Sequence, residues 1–432
     1  SGGTGDDKLY VEVFTNGLLT VDGGGDTDWV NFYSANTWQN AVPASLPTNL
    51  LDLESGIGET ALGGSLSVTN VENILGGAYR DEFYGDDRAN ILRSLNNDDV
   101  LEGRGGADTL DGGNGHDVAQ YTSASSAVEV DLSLATQRMT IVRAGVTLSN
   151  GDAAGDVLTS IEELRGSDYD DIFRGRTGNF AETLIGDAGN DILEGRGGGD
   201  TLNGSTGFDF ASYESSPGRV DVSLLPVTGL NGVQLSDAAG DTLISIEGLI
   251  GSFFNDNLAG DNADNELRGG NGGDALSGNG GADTILGGAG SDEIIGGRGR
   301  DTMYGEGGSD TFTFLSVLDS RGTFAQRDVI QDFERHAMLT TVSSRVNPGD
   351  TIDLSAIDAV TGADGNQNFE FRGSQAFTAA GQVRVVEATD AAGREYNLIE
   401  AEVNGDNVAD FQLSVYTTTV DNVLLTANDF VL

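Results

Sequence analysis

Gly251-Ser252-Phe253-Phe254-Asn255-Asp256-Asn257-Leu258-Ala259 is followed without a slip by Gly260-Asp261-Asn262-Ala263-Asp264-Asn265-Glu266-Leu267-Arg268, and the period of nine holds to Thr313. Each unit opens with Gly. Its sixth place carries Asp256, Asn265, Asp274, Asp283, Asp292, Asp301 or Asp310, and its eighth Leu258, Leu267, Leu276, Ile285, Ile294, Met303 or Phe312. The pattern is G-G-x-G-x-D-x-U-x, a solenoid period. The early glycines let six residues turn tightly. Places seven to nine form a short strand whose middle side chain points inward. Two units complete a turn, so each unit stacks on the second one after it. The fold class that follows is all-β: a parallel β-roll stabilised by neighbour-to-neighbour stacking.

The same unit recurs upstream. A first block, 76–120, has Asp81, Asn90, Asp99, Asp108 and Asp117 at its sixth places. A second, 166–212, has Asp171, Glu182, Asp191, Asp200 and Asp209; the unit around Glu182 is two residues too long, so Glu182 is left out of the candidate ligands. The run at 251–313 is the third block. Isolated units surround Asp7 and Asp28, the latter departing from the pattern because Asp26 stands where Gly is expected. Related lead-ins precede the blocks: Asn70-Val71-Glu72-Asn73-Ile74-Leu75, Ser160-Ile161-Glu162-Glu163-Leu164-Arg165 and Ser245-Ile246-Glu247-Gly248-Leu249-Ile250. The segments between blocks also match, with Val128-Glu129-Val130-Asp131-Leu132 set against Val220-Asp221-Val222-Ser223-Leu224 in strand-like alternation. The expected organisation is an N-terminal β region at 1–75, β-roll blocks at 76–120, 166–212 and 251–313 separated by β inserts at 121–165 and 213–250, and a C-terminal β capping domain at 314–432, where glycine thins and Phe and Val rise.

A carboxylate repeated every nine residues on stacked turns brings hard oxygen donors together from successive coils. Such donors in a flexible loop suit calcium better than magnesium, which demands a small octahedron and keeps its waters. The candidate ligands are Asp7, Asp81, Asn90, Asp99, Asp108, Asp117, Asp171, Asp191, Asp200, Asp209, Asp256, Asn265, Asp274, Asp283, Asp292, Asp301 and Asp310. Asn90 and Asn265 offer oxygen without charge, so sites built on them are expected to be weaker. One such Asp alone reads as a solvated turn residue; consecutive units in register read as ion binding. With one inward apolar residue per nine, burial alone does not offset the entropy of ordering the turns, and the arrays are expected to be unfolded without calcium.

The formal charge is -47, from 69 acidic and 22 basic residues. It argues against nucleic acid and anionic membranes, and for cations as partners. There is no cysteine, so disulfides contribute nothing. No run is long enough for a membrane-spanning helix, and no signal peptide opens the chain. The two histidines, His116 and His336, lie far apart, so neither a zinc-protease helix nor a hydrolase triad is expected; His116 fills the fifth place of a unit and is expected to point outward.

The arrays resemble the RTX family of secreted bacterial calcium-binding proteins. That resemblance implies export through a one-step secretion channel and folding outside the cell. The C-terminal part is similar to that of serralysin-type metalloproteases, on Phe369-Glu370-Phe371-Arg372-Gly373 with Phe377, Gly381-Gln382-Val383-Arg384, Asn404-Gly405-Asp406-Asn407-Val408-Ala409-Asp410-Phe411 and the tail Asp429-Phe430-Val431-Leu432. The tail then implies a signal read by the secretion apparatus. The expected function is non-enzymatic: an extracellular, cell-surface, surface-layer, matrix or adhesive component, with a homo-oligomer or a surface glycan or protein as partner. Trp29, Phe32, Tyr33 and Trp38 are candidates for that surface, against a buried aromatic cluster. The alternative is the secretion and stabilising part of a larger secreted enzyme with its catalytic domain upstream.

Overall fold

The structure is a computed structural model. It describes residues 2–12, 18–33, 48–61, 63–137, 140–143, 146–225, 236–320, 326–335, 349–360, 366–418 and 424–432. Trp38 and His336 lie outside them. No α-helix occurs among the described residues, which form strands joined by turns and three single-turn 3₁₀ segments. No helix there is long and apolar enough to cross a membrane. The chain divides into two compact units, Ser1–Phe210 with Gly240–Ile246, and Ala211–Ala239 with Glu247–Leu432.

The nine-residue period becomes a parallel register of eighteen. In the second unit, Leu258 pairs with Leu276, Leu276 with Ile294 and Ile294 with Phe312. On a facing sheet Leu267 pairs with Ile285 and Ile285 with Met303. All seven of these eighth-place side chains are buried. Stacking like on like gives each a neighbour above and below, and each contributes about 1.5–3 kcal/mol of burial. The first unit repeats the arrangement on sheets that carry Ile91–Asn96 beside Thr109–Asn114, and Val100–Glu102 between Arg80–Tyr84 and Val118–Gln120.

The segments read as inserts are largely coils of the roll itself. Val157–Thr159 pairs with Thr109–Asn114, Glu163–Arg165 lies between Val118–Gln120 and Thr183–Ile185, and Glu129–Asp131 pairs with Ile172–Arg174. Among the described residues of these segments, only the antiparallel hairpin of Thr140–Arg143 and Val146–Ser149 pairs outside the roll's sheets. In the second unit the roll sheet continues through Val329–Phe333 onto the antiparallel strands Phe411–Thr417, Glu395–Glu402 and Gln382–Thr389. The tail strand Phe430–Val431 pairs with Thr351–Asp353. Of the aromatic surface candidates, Phe32 is buried and stacks on Phe83 at 5.7 Å between centroids.

Candidate metal centres

Stacking at eighteen residues lines the sixth-place residues into columns. Down each column the backbone N–H of one station donates to a carboxylate oxygen of the next. In the second unit Val220 donates to Asp256 Oδ1, Asp256 to Asp274, Asp274 to Asp292, Asp292 to Asp310 and Asp310 to Asp350, at 2.7–3.0 Å. Beside it, Asn265 donates to Asp283, Asp283 to Asp301 and Asp301 to Asp328 at 2.8–2.9 Å. The first unit holds three more series. Asp7 donates to Asp28, Asp28 to Glu72, Asn90 to Asp108 and Asp108 to Asp156. Asp81 donates to Asp99, Asp99 to Asp117, Asp117 to Glu162, Glu182 to Asp200 and Asp200 to Asp241. Val128 donates to Asp171, Asp171 to Asp191 and Asp191 to Asp209.

The second carboxylate oxygen separates two kinds of station. At Asp99, Asp108, Asp117, Asp191, Asp200, Asp274, Asp283, Asp292 and Asp301, Oδ2 is buried and accepts no hydrogen bond from the described residues. A buried carboxylate oxygen without a donor is costly. The first-place glycine lies against this atom: a Cβ at Gly186 would come 2.1 Å from Asp191 Oδ2, and one at Gly278 2.2 Å from Asp283 Oδ2. Burial, with neighbouring carboxylates adding to it, pushes Asp99, Asp108, Asp191 and Asp283 up to about 8 and Asp200 and Asp274 to about 7, against the lowering effect of the N–H each accepts.

At the opening coil of each block the protein supplies the missing donor. Asp171 Oδ2 accepts the Ser167 N–H at 2.6 Å, and the Ser167 hydroxyl lies 3.0 Å from both oxygens. Ser252 holds Asp256 the same way, at 2.6 and 2.9 Å. Asp81 accepts from the Asn49 amide at 2.7 Å and the Gly77 N–H at 3.1 Å. Asn90 and Asn265 accept the N–H of Asp86 and Asp261 through Oδ1 and donate through Nδ2 to the carbonyls of Glu72 and Glu247. Glu182 is set into its column despite its longer turn; Arg176 meets its Oε1, while its Oε2 is buried and accepts no hydrogen bond from the described residues. The Arg176 guanidinium lies 2.8 Å from Glu182 Oε1 and 3.3 Å from Glu162 Oε1. At the N-terminal station, Asp7 Oδ2 accepts the Gly3 N–H.

Sequence reading did not include Asp28, Glu72, Asp156, Glu162, Asp241, Asp328 or Asp350 among the stations. The lead-ins did carry a usable signal: Glu72, Glu162 and Glu247 precede Asn90, Glu182 and Asn265 in their columns. Asp28 was discounted because of Asp26, which adopts φ +80° in place of a glycine; Asp tolerates that region. The half-exposed side chain of His116 turns away from the columns, 3.9 Å from Glu163.

Residues 84–119, 177–211, 250–285 and 277–312 match the RTX calcium-binding nonapeptide repeat. The chain carries calcium-binding RTX repeats. No curated protein matches it. Among solved structures, it is similar to the AlgE6R3 subunit from the Azotobacter vinelandii mannuronan C5-epimerase, determined in solution, at 22% identity over 38% of this chain and 70% of that one. The TM-score is 0.16. The residues of the RTX columns fit calcium. Their unpaired buried oxygens are hard donors, repeated on successive coils, and burial has removed the water that would otherwise solvate them. Among the described residues no three acidic or histidine side chains converge on one point, so main-chain carbonyls would complete each shell.

Proposed function

We propose that this chain is a secreted, non-enzymatic RTX protein that gains its fold in the millimolar calcium found outside cells and serves there as a structural component of a surface layer, matrix or adhesive coat. The observation that carries the reading is the series of wholly buried Asp Oδ2 atoms without donors, from Asp99 to Asp301. Such a column is unfavourable without a cation and favourable with one. Bound calcium supplies the positive charge and the coordination that these oxygens lack. Extracellular sites of this class bind in the range of about 10⁻⁴–10⁻³ M, so cytosolic calcium leaves the columns unsupported. The C-terminal tail serves as the address read by the secretion apparatus.

Circular dichroism during a calcium titration tests the folding claim. A β spectrum is expected in millimolar calcium but not in chelator or in the same concentration of magnesium. A β spectrum unchanged by chelation would contradict it. Electron microscopy of the calcium-loaded chain tests the structural role: sheets or fibres support it, and dispersed monomers at high concentration count against it.

A further inference from the structure

In the second unit an open concavity of about 420 Å³ lies beside the turn that carries Arg298 and Arg300. These are the third and fifth places of their nonapeptide, and two of only three basic residues in the third block. The turn stacked before it has Gly281 and Ala282 at its fourth and fifth places, and their small size leaves the space open. Leu318 and Gln326 line the other side, from the connection between the last nonapeptide and Val329–Phe333. In so acidic a chain most positive charge is already spoken for: Arg88, Arg104, Arg196 and Arg384 each lie 2.6–2.8 Å from a carboxylate. Arg298 is exposed, and its guanidinium makes no ion pair or hydrogen bond among the described residues. The acid that feels its charge, Asp319, is buried and held from within, its Oδ2 accepting the Leu315 and Ser316 N–H at 2.9 and 2.8 Å.

We propose that this concavity binds an acidic sugar, with Arg298 and Arg300 on its carboxylate and Gln326 and Leu318 against a hydroxyl and the apolar face of its ring. Guanidinium groups match a planar carboxylate with two parallel donors and stay charged at any physiological pH. The volume lies within the roughly 300–1,000 Å³ of small-molecule sites, and the open mouth lets the bound ring remain joined to a longer glycan. One carboxylate per ring also suits the rest of the molecule. A charge of -47 repels dense polyanions such as nucleic acid, whereas a single carboxylate needs only a local pair of arginines. The inference deepens the adhesive reading and rests on the calcium-dependent fold, because the turn that carries both arginines leads directly into the station Asp301.

Saturation-transfer NMR on the full chain in millimolar calcium tests this, with methyl β-glucuronide as probe and methyl β-glucoside as its neutral counterpart. Circular dichroism of the same samples follows the fold. The glucuronide is expected to receive saturation and the glucoside not. Arg298→Gln and Arg300→Gln are each expected to weaken the glucuronide several-fold, and together to abolish its signal, with the β spectrum kept. Arg268→Gln, whose arginine pairs with Glu266 outside the concavity, is expected to change nothing. A folded chain that gives the glucuronide no signal overturns the proposal, as does equal signal from the two sugars or an affinity untouched by the double variant. If inorganic sulfate displaces the glucuronide fully at equal concentration, the site takes bare anions and the sugar assignment is overturned. A β spectrum and a glucuronide signal that both persist in chelator would support the sugar site while contradicting the calcium-dependent fold.

Discussion

At the scale of single residues, the first-place glycines are demanded by space. A Cβ at Gly278 would sit 2.2 Å from Asp283 Oδ2 and 2.6 Å from the Gly296 carbonyl. Gly278→Ala is therefore expected to destabilise the calcium-loaded chain by about 1–3 kcal/mol through overpacking, measured by denaturant unfolding at fixed calcium. The fourth place is harder still: Gly290 has φ +151°, and its Cβ would fall 1.4 Å from the Gly272 carbonyl. Asn265 makes the opposite point about charge. Its amide donates to the Glu247 carbonyl at 3.1 Å. Asn265→Asp would set an oxygen against that oxygen, so the variant is expected to need several-fold more calcium to reach its β spectrum. An unchanged calcium midpoint would show that the amide has no such role.

Among the elements, the opening coil of the second block rests on Arg176, which lies between Glu162 from the lead-in and Glu182 from the lengthened unit. Glu182 is wholly buried while Arg176 is 24% exposed, so losing the guanidinium leaves a buried carboxylate unpaired at a cost below the roughly 3–5 kcal/mol of a fully buried pair. Arg372, by contrast, meets Glu370 at the surface, where such pairs contribute about 0–1 kcal/mol. Arg176→Ala is expected to lower the melting temperature well beyond Arg372→Ala, as calorimetry in calcium would show. The columns within a block were legible from sequence because every place in nine residues has one task and the next station is a fixed eighteen away. Asp156, Asp241 and Asp350 were not legible, because their separations from the preceding station, 48, 41 and 40 residues, depend on how much chain loops out between coils. What marks them locally is a Gly-Asp before a short apolar strand, in Gly155-Asp156-Val157-Leu158, Gly240-Asp241-Thr242-Leu243 and Gly349-Asp350-Thr351-Ile352, a recurrence that shows kinship between the segments but not which station each joins.

For the molecule as a whole, the buried carboxylates tie folding to protons as well as to calcium. The usual unfolded value for Asp is about 3.9, and burial in the fold pushes Asp99, Asp108, Asp191 and Asp283 up to about 8. A raised folded value gives stability that is fully present below the unfolded value and lost as pH rises through the folded one. The calcium-free chain is thus expected to gain β structure as pH falls from 9 towards 5, read by circular dichroism in chelator; loss of β signal over that range would oppose the assignment. The formal charge of -47 acts in the same direction, since self-repulsion weakens as carboxylates are neutralised.

Near-identical repeats carry a hazard of their own, since a coil that docks one step out of phase finds almost the same neighbours. The Asn, Ser and Arg donors at the opening coils break that degeneracy. Slid along by one coil, the Asn265 amide would leave the Glu247 carbonyl, and Arg176 would forfeit one of its two glutamates. Each block thereby bears a zero mark from which its turns are counted, so that identical rungs assemble in a single order.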